Sequence, residues 1–305
     1  MTRFILHRLV WLALTMWVVF TITFALIRAV PGGPFDSEKP VSPEVRRTLE
    51  RRYDMDQPIL VQYWREMTRL LRGDLGYCMK MGDYPVAEIV HDGFPISAAL
   101  GILALTFAVT LGLLTGVISA AYRGSASDVL LRFVATAGIA LPNFVIAGVC
   151  ILLFVFWIPL FPAAGWGSWR QLVLPAFCLG APFAAEIARI SRTSLLDALS
   201  NDYIRTIRAK GAGEERVLLV HALRNALLPV VSFLGPAAAG VLTGSLVVEK
   251  IFAVPGMGVY FVMAAELRDF TVLMGIVMVD TLVLCLMNLA VDVSYAWLDP
   301  RVKLE

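Results

Sequence analysis

The chain has 305 residues, of which 58% are apolar and only 16% charged. A soluble globular chain carries about 25% charged residues, and a mean hydropathy of +0.75 leaves too little polar surface to coat a water-soluble particle. A net charge of +2 gives no electrostatic footprint for nucleic acid. A cytosolic enzyme, a disordered chain and a nucleic-acid binder are excluded, and an integral membrane protein with several spans remains.

Leu9 to Ile27 runs nineteen residues without a charge, close to the ~20 that cross a bilayer core. Arg3 and Arg8 precede it, as in a signal peptide. The run exceeds an ordinary signal core of about 7–15 residues, and Arg28 and Pro31 stand where small cleavage residues would be needed. A retained span is therefore expected.

Residues 28–92 hold ten basic and eleven acidic residues, the balance of a solvated, folded surface. Ser42 followed by Pro43 reads as an N-cap and first helical position, and Val45, Leu49 and Tyr53 then recur every four residues. A second helix starts near Pro58. Leu60, Tyr63, Trp64, Met67 and Leu71 trace one helical face, and Gly73 is placed to stop it. Two short helices packed on the mouth of a bundle are expected, with a surface for a soluble partner as the functional alternative.

Further apolar runs follow at Gly93–Tyr122, Phe133–Trp169, Gln171 to about Ile190, Asn225–Val248 and Phe270–Val291. Pro159, Pro162 and the Gly165-Trp166-Gly167 turn break the second of these. The expected organisation is six transmembrane helices: 1–30 an amino-terminal span, 31–92 an extracytoplasmic helical segment, and 93–305 a five-helix core. With the amino end inside, the inner pieces carry twelve basic residues and the short outer loops three, so both termini are expected in the cytoplasm.

Cys78, Cys150, Cys178 and Cys285 lie far apart and form no CxxC, and His7, His91 and His221 are scattered. Neither a disulfide framework nor a metal or redox centre is written here. Cys78 is expected to be a free thiol outside the spans.

The loop 191–224 is much longer than a turn requires. Asp202 is positioned to cap a helix running Tyr203–Lys210, and Gly211 to end it. Ala212 and Gly213 make a small-residue turn. Glu214 and Glu215 then open a second helix, favourably placed against its dipole. Ala209, Gly211, Ala212 and Gly213 leave the tip almost bare, so a partner protein can approach its backbone closely. The structural alternative is a basic loop that only fixes topology.

The segment Tyr203-Ile204-Arg205-Thr206-Ile207-Arg208-Ala209-Lys210-Gly211-Ala212 resembles the EAA loop of ABC-transporter permease subunits. The stretch from Gly244 to Gly258, including Glu249-Lys250-Ile251-Phe252-Ala253-Val254-Pro255-Gly256-Met257-Gly258, resembles the block after the fifth span in peptide and nickel permeases. Pro31-Gly32-Gly33-Pro34-Phe35 and the stretch Val291–Arg301 match the same family. The resemblance covers essentially the whole chain and is closest to the oligopeptide permease B type. One departure is Arg224, where the general loop pattern has a proline; here the proline comes at Pro229.

The resemblance implies a type I importer permease fold (MetI-like). It also implies a second permease subunit, two ATP-binding subunits docked on the loop, and an extracytoplasmic binding protein that delivers peptide. The loop residues it marks are Asp202, Arg205, Arg208, Ala209, Lys210, Gly211, Ala212 and Gly213. No GxxxxGK[ST] motif occurs, so ATP hydrolysis falls to partners, and no cofactor is called for. Dipeptides, glutathione or a nickel complex are alternative cargoes.

Asp280 places a carboxylate near mid-membrane, about ten residues into the last span. It lies ~100° off a polar stripe of Thr281, Cys285, Asn288 and Asp292. It either lines the substrate pathway, pairs with a buried partner, or stays protonated. Glu186 is expected to pair with Arg189 one turn on. A membrane enzyme would need a catalytic cluster, and Asp280 has no obvious partner in sequence. An ion-driven secondary transporter would show repeats with broken helices and would not need the bare-tipped loop.

Overall fold

The structure, a computed structural model, describes residues 2–30, 32–35, 42–80, 82, 84–243 and 246–298. Thirteen α-helices are found among the described residues: α1 Thr2–Ala29, α2 Pro43–Arg52, α3 Ile59–Leu71, α4 Val86–Ala121, α5 Ala126–Ala140, α6 Asn143–Ile151, α7 Trp169–Ser200, α8 Asp202–Ala209, α9 Glu214–Arg216, α10 Leu223–Thr243, α11 Leu246–Ile251, α12 Met257–Leu267 and α13 Phe270–Leu298. Five helical stretches are long and apolar enough to cross a membrane, in α1, α4, α7, α9–α10 and α13. The pair α5 and α6 supplies a sixth if its two halves are counted as one span bent by 115°.

The chain leaves helix at 158–168, where Pro159, Pro162 and the glycine turn put the break. A second break, at Leu141-Pro142, was not expected. Proline disfavours helical geometry in the residue before it, and Leu141 is extended, with ψ 130°. Pro95, Pro175, Pro182, Pro229 and Pro236 lie inside helices that continue through them. Beyond α6 the chain widens into a π-helical turn, Leu152–Trp157. The helix of Gln171–Ile190 does not stop there: α7 runs on to Ser200, so much of 191–224 is helix rather than free loop.

The centre of the bundle is α4 against α7, running parallel. Their seam is built from small residues, which let backbones approach closely. A Cβ on Gly180 would stand 2.4 Å from the Ala104 carbonyl oxygen, and one on Gly116 would stand 1.9 Å from Ser191 Oγ and 2.7 Å from the Ala188 oxygen. Ala104, Ala108, Leu179 and Ile187 are fully buried around this seam.

Polar contacts then fasten the elements. Asp128, 1% exposed, accepts from Ser119 Oγ at 2.6 Å, Gly124 N at 2.9 Å, and Arg192 Nε and Nη2 at 2.9 and 3.0 Å. This ties the α4–α5 turn to α7. At the other end of the bundle, Asp269 Oδ2 accepts from the Met79 and Lys80 amides at 2.7 and 3.0 Å, and Oδ1 from Val272 N at 3.2 Å. The segment before α4 is thereby held on the start of α13.

In that segment Ser42 Oγ caps α2, and Gly73, at φ +78°, follows α3, as expected. The face expected on α3 divides: Tyr63 and Met67 pack on α1 and α13, while Leu60, Trp64 and Leu71 are exposed. Cys78 is a free thiol. It is also completely buried, so it is not open to an aqueous reagent.

Candidate functional site

The expected loop residues form one compact feature at the bundle end where α4 and α7 finish. Asp202 is the first residue of α8, not its cap; Asn201 stands at the cap position without a side-chain cap bond. Asn201 Nδ2 instead donates back to the Asp197 and Ala198 carbonyls at 3.0 and 3.4 Å. One residue therefore separates α7 from α8, and its side chain braces the joint.

The helix α8 ends as the glycine predicts. Gly211 N donates to Arg208 O at 2.9 Å and Ala212 N to Ile207 O at 3.4 Å. This bond pair is a Schellman ending, which places the glycine in the left-handed region; Gly211 has φ +84°. Beneath, Ile204 is fully buried and packs with Leu195, Ala198, Val217 and Ala222. Tyr203 and Asn225 add a 2.9 Å bond from Asn225 Nδ2 to Tyr203 Oη. Arg208 spans the turn with a bidentate pair to Glu214, at 2.7 and 2.9 Å.

Asp202, Arg205, Arg208, Ala209, Lys210, Gly211 and Gly213 are exposed, and Ala212 is half-buried. A Cβ on Gly211 or Gly213 would meet nothing within 4 Å. The tip is thus bare, outward-facing and held by its own buried base.

Along α7 from this loop lies a crevice between α4, α5 and α7. Two adjoining cavities of about 230 and 370 Å³ share Thr115, Leu131, Ala135 and Ala188. The smaller is lined by Arg132, Arg189 and Arg192, the larger by Phe133, Leu141, Phe177 and Ala181.

Asp280 does not join the loop. It lies half-buried in α13 and has no hydrogen-bond or ion-pair partner among the described residues. The carboxylate that acts on it through space is that of Glu249. Asp292, the end of the expected polar stripe, lies outside the described side chains. Glu186 pairs with Arg189 as expected.

Sequence reasoning gave Glu249 no role of its own. It is fully buried in α11, and its Oε2 accepts from Gly258 N at 2.8 Å, while Ser97 Oγ accepts from Met257 N at 3.0 Å. A Cβ on Gly256 would stand 2.4 Å from both of these side-chain oxygens. The Pro255-Gly256-Met257-Gly258 run is therefore a turn clasped by Glu249 and Ser97. Its Gly-rich spacing was the available signal.

Comparison with known proteins closes the question of kinship. Residues 112–304 match the family described as binding-protein-dependent transport system inner membrane component, and residues 1–101 match its amino-terminal companion. The chain belongs to this family. It is 41% identical to the dipeptide transport system permease protein DppB of Bacillus subtilis over 100% of the chain and 99% of that protein. It is 39% identical to the oligopeptide transport system permease protein OppB of Haemophilus influenzae and 38% identical to that of Escherichia coli K12, in each case over 99% of the chain and all of the relative. As an inner membrane component of a binding-protein-dependent transport system, the chain is a multi-pass permease subunit and not a catalyst.

Proposed function

We propose that the chain is a permease subunit of an ATP-driven importer of oligopeptides, working with a second permease subunit, two ATP-binding subunits and an extracytoplasmic binding protein. Both termini and the α8–α9 loop face the cytoplasm in this proposal, in keeping with the twelve-to-three excess of basic residues on that side. The observation that carries it is the bare Schellman turn around Gly211, exposed at its tip and anchored at Ile204. A topogenic loop needs its charges only; it needs neither a closed turn nor a buried base.

The joint at Asn201 makes the loop and α7 one body. Movement of a docked ATPase pair would be carried through α7 into the crevice beside Phe177 and Arg192, changing which side of the bundle is open. ATP supplies free energy only insofar as it binds the two states unequally. Asp280, without a partner among the described residues, is assigned to the substrate pathway. Dipeptide cargo is a second proposal, favoured by the 41% identity to a dipeptide permease.

The test is Gly211→Asp beside Gly211→Asn. Asparagine tolerates the left-handed backbone better than most residues, so Gly211→Asn isolates the effect of a side chain at the tip. Gly211→Asp adds a charge that docking would desolvate. Both chains should reach the membrane at normal levels. Gly211→Asp should lose peptide uptake and release the ATP-binding subunits during purification, with Gly211→Asn intermediate. Wild-type uptake and full ATPase recovery in Gly211→Asp would refute the docking role.

A further inference from the structure

Helix α3 is amphipathic the wrong way round for a water-exposed segment. Its inward face carries Gln62, Glu66 and Arg69 beside Tyr63, Met67 and Leu70. Most of these polar groups are satisfied internally: Gln62 Oε1 accepts from Arg28 Nη2 at 2.6 Å, and Arg69 Nη2 donates to Glu66 at 2.5 Å, while Arg69 Nε is buried without a hydrogen-bond partner among the described residues. The outward face carries Leu60, Val61, Trp64, Thr68 and Leu71, with Arg65 at its edge, 56% exposed and paired with Asp54. Leu60 is 71%, Trp64 60% and Leu71 81% exposed. Even the Thr68 hydroxyl is turned back, donating to the Trp64 and Arg65 carbonyls at 2.8 and 2.9 Å.

The depth of this face follows from its contacts with α1. The ring of Tyr63 lies 5.2 Å from that of Phe20 and 5.3 Å from that of Phe24, and its hydroxyl accepts from Trp17 Nε1 at 3.0 Å. Phe24 and Phe20 are five and nine residues inside Ala29, the last residue of a membrane-spanning helix. At 1.5 Å per residue the Tyr63 ring sits about 7–14 Å below that end. The ring of Trp64 is 5.5 Å from it. The exposed tryptophan therefore lies at the level of the acyl chains, as does Trp17, which is exposed on α1 itself and bonded to the same Tyr63.

We propose that α3 is an interfacial helix seated in the leaflet at the carboxyl-terminal end of α1, with Leu60, Trp64 and Leu71 in contact with phospholipid acyl chains. The apolar stripe of Leu60, Trp64 and Leu71, joined through Tyr63 to the exposed Trp17 of α1, argues for lipid over a soluble protein partner. The proposal depends only on the chain's residence in the membrane, so it stands or falls apart from the docking role of Gly211.

The assembled transporter would be reconstituted in phosphatidylcholine liposomes and in liposomes whose acyl chains are brominated at carbons 6 and 7. Tryptophan emission would be compared for wild type and Trp64→Phe. The expected result is a blue-shifted component quenched by bromine in wild type and missing in Trp64→Phe. Leu71→Trp, added to Trp64→Phe, should restore quenching by bromine. A Trp64 component quenched by aqueous iodide but not by bromolipid would place the face in water and overturn the proposal. A component quenched by neither would show another subunit covering it, and would overturn it equally.

Discussion

Glu249 shows how one buried side chain sets a turn. Its Oε2 is the acceptor for the Gly258 amide, which the chain otherwise leaves inside the protein. Glu249→Ala would strand that N–H at a cost of about 1–3 kcal/mol. Glu249→Gln keeps a carbonyl oxygen in place. We therefore expect a lowered thermal midpoint in detergent for the alanine variant and a nearly unchanged one for glutamine. Gly256→Ala should destabilise at least as much as Glu249→Ala, since its methyl collides with the clasp itself. Equal midpoints for all three variants would remove the clasp from the account. Cys78 makes a second case. Burial, and then the charge of Asp269, push its thiol up to about 11. The folded protein thus favours the protonated form, and only the thiolate attacks a maleimide. Native protein at pH 7 should label slowly at Cys78, faster as pH approaches 11, and at once when denatured. Stoichiometric native labelling at pH 7 would show that the site opens.

Among elements, α4 and α7 depend on glycine for proximity. Gly116→Val should lower the thermal midpoint, since overpacking costs about 1–3 kcal/mol and the obstacles include a backbone carbonyl that cannot swing aside. Gly148→Ala in α6, where an added Cβ meets nothing within 4 Å, is the matched control and should be neutral or slightly stabilising. The helices themselves were legible in sequence because apolar runs and local caps are short-range signals. Ser42, Gly73 and Gly211 each act within one turn, and each stands at its expected place. The failures concern partners. Periodicity grouped Leu60 with Tyr63, but which part of a face meets protein depends on where the helix lies. Pro142 is the same residue type as the prolines that α7 and α10 absorb, and only its surroundings make it a break. The α7 helix overran Ile190 because charge in a helix marks where lipid ends, not where the helix ends.

For the molecule as a whole, Asp280 and Asp128 are the charges that matter most, for opposite reasons. Asp280 has no partner among the described residues, so Asp280→Asn should leave assembly intact and alter the relative uptake of cationic, neutral and anionic peptides. Unchanged uptake of all three would withdraw it from the pathway. Asp128 is fully engaged. Without Arg192, Asp128 keeps only the half-exposed Arg132 at 3.4 Å, and without Asp128, Arg192 loses its bidentate acceptor, so Asp128→Ala and Arg192→Ala should each destabilise, and the double variant by less than their sum. Strict additivity, measured as thermal midpoints of the four proteins, would deny the pairing. The loop residues around Gly211 were legible through resemblance and turn chemistry; the Asp128–Arg192 pair was not, because Arg192 lies 64 residues from Asp128.

The bend at Pro142 has a consequence for biosynthesis. At 15 residues, α5 measures about 22 Å and falls short of a ~30 Å hydrocarbon core. Its buried aspartate has Arg132 of its own helix at 3.4 Å, but takes its two-point guanidinium bond from Arg192 on α7. A ribosome that has finished α6 has therefore delivered two half-segments to the translocon, with the aspartate's bidentate partner still to be synthesised. Membrane integration of α5 and α6 should accordingly wait for α7. Nascent chains arrested before Arg192 should leave Asp128 open to alkali extraction or protease, and chains arrested beyond α7 should not.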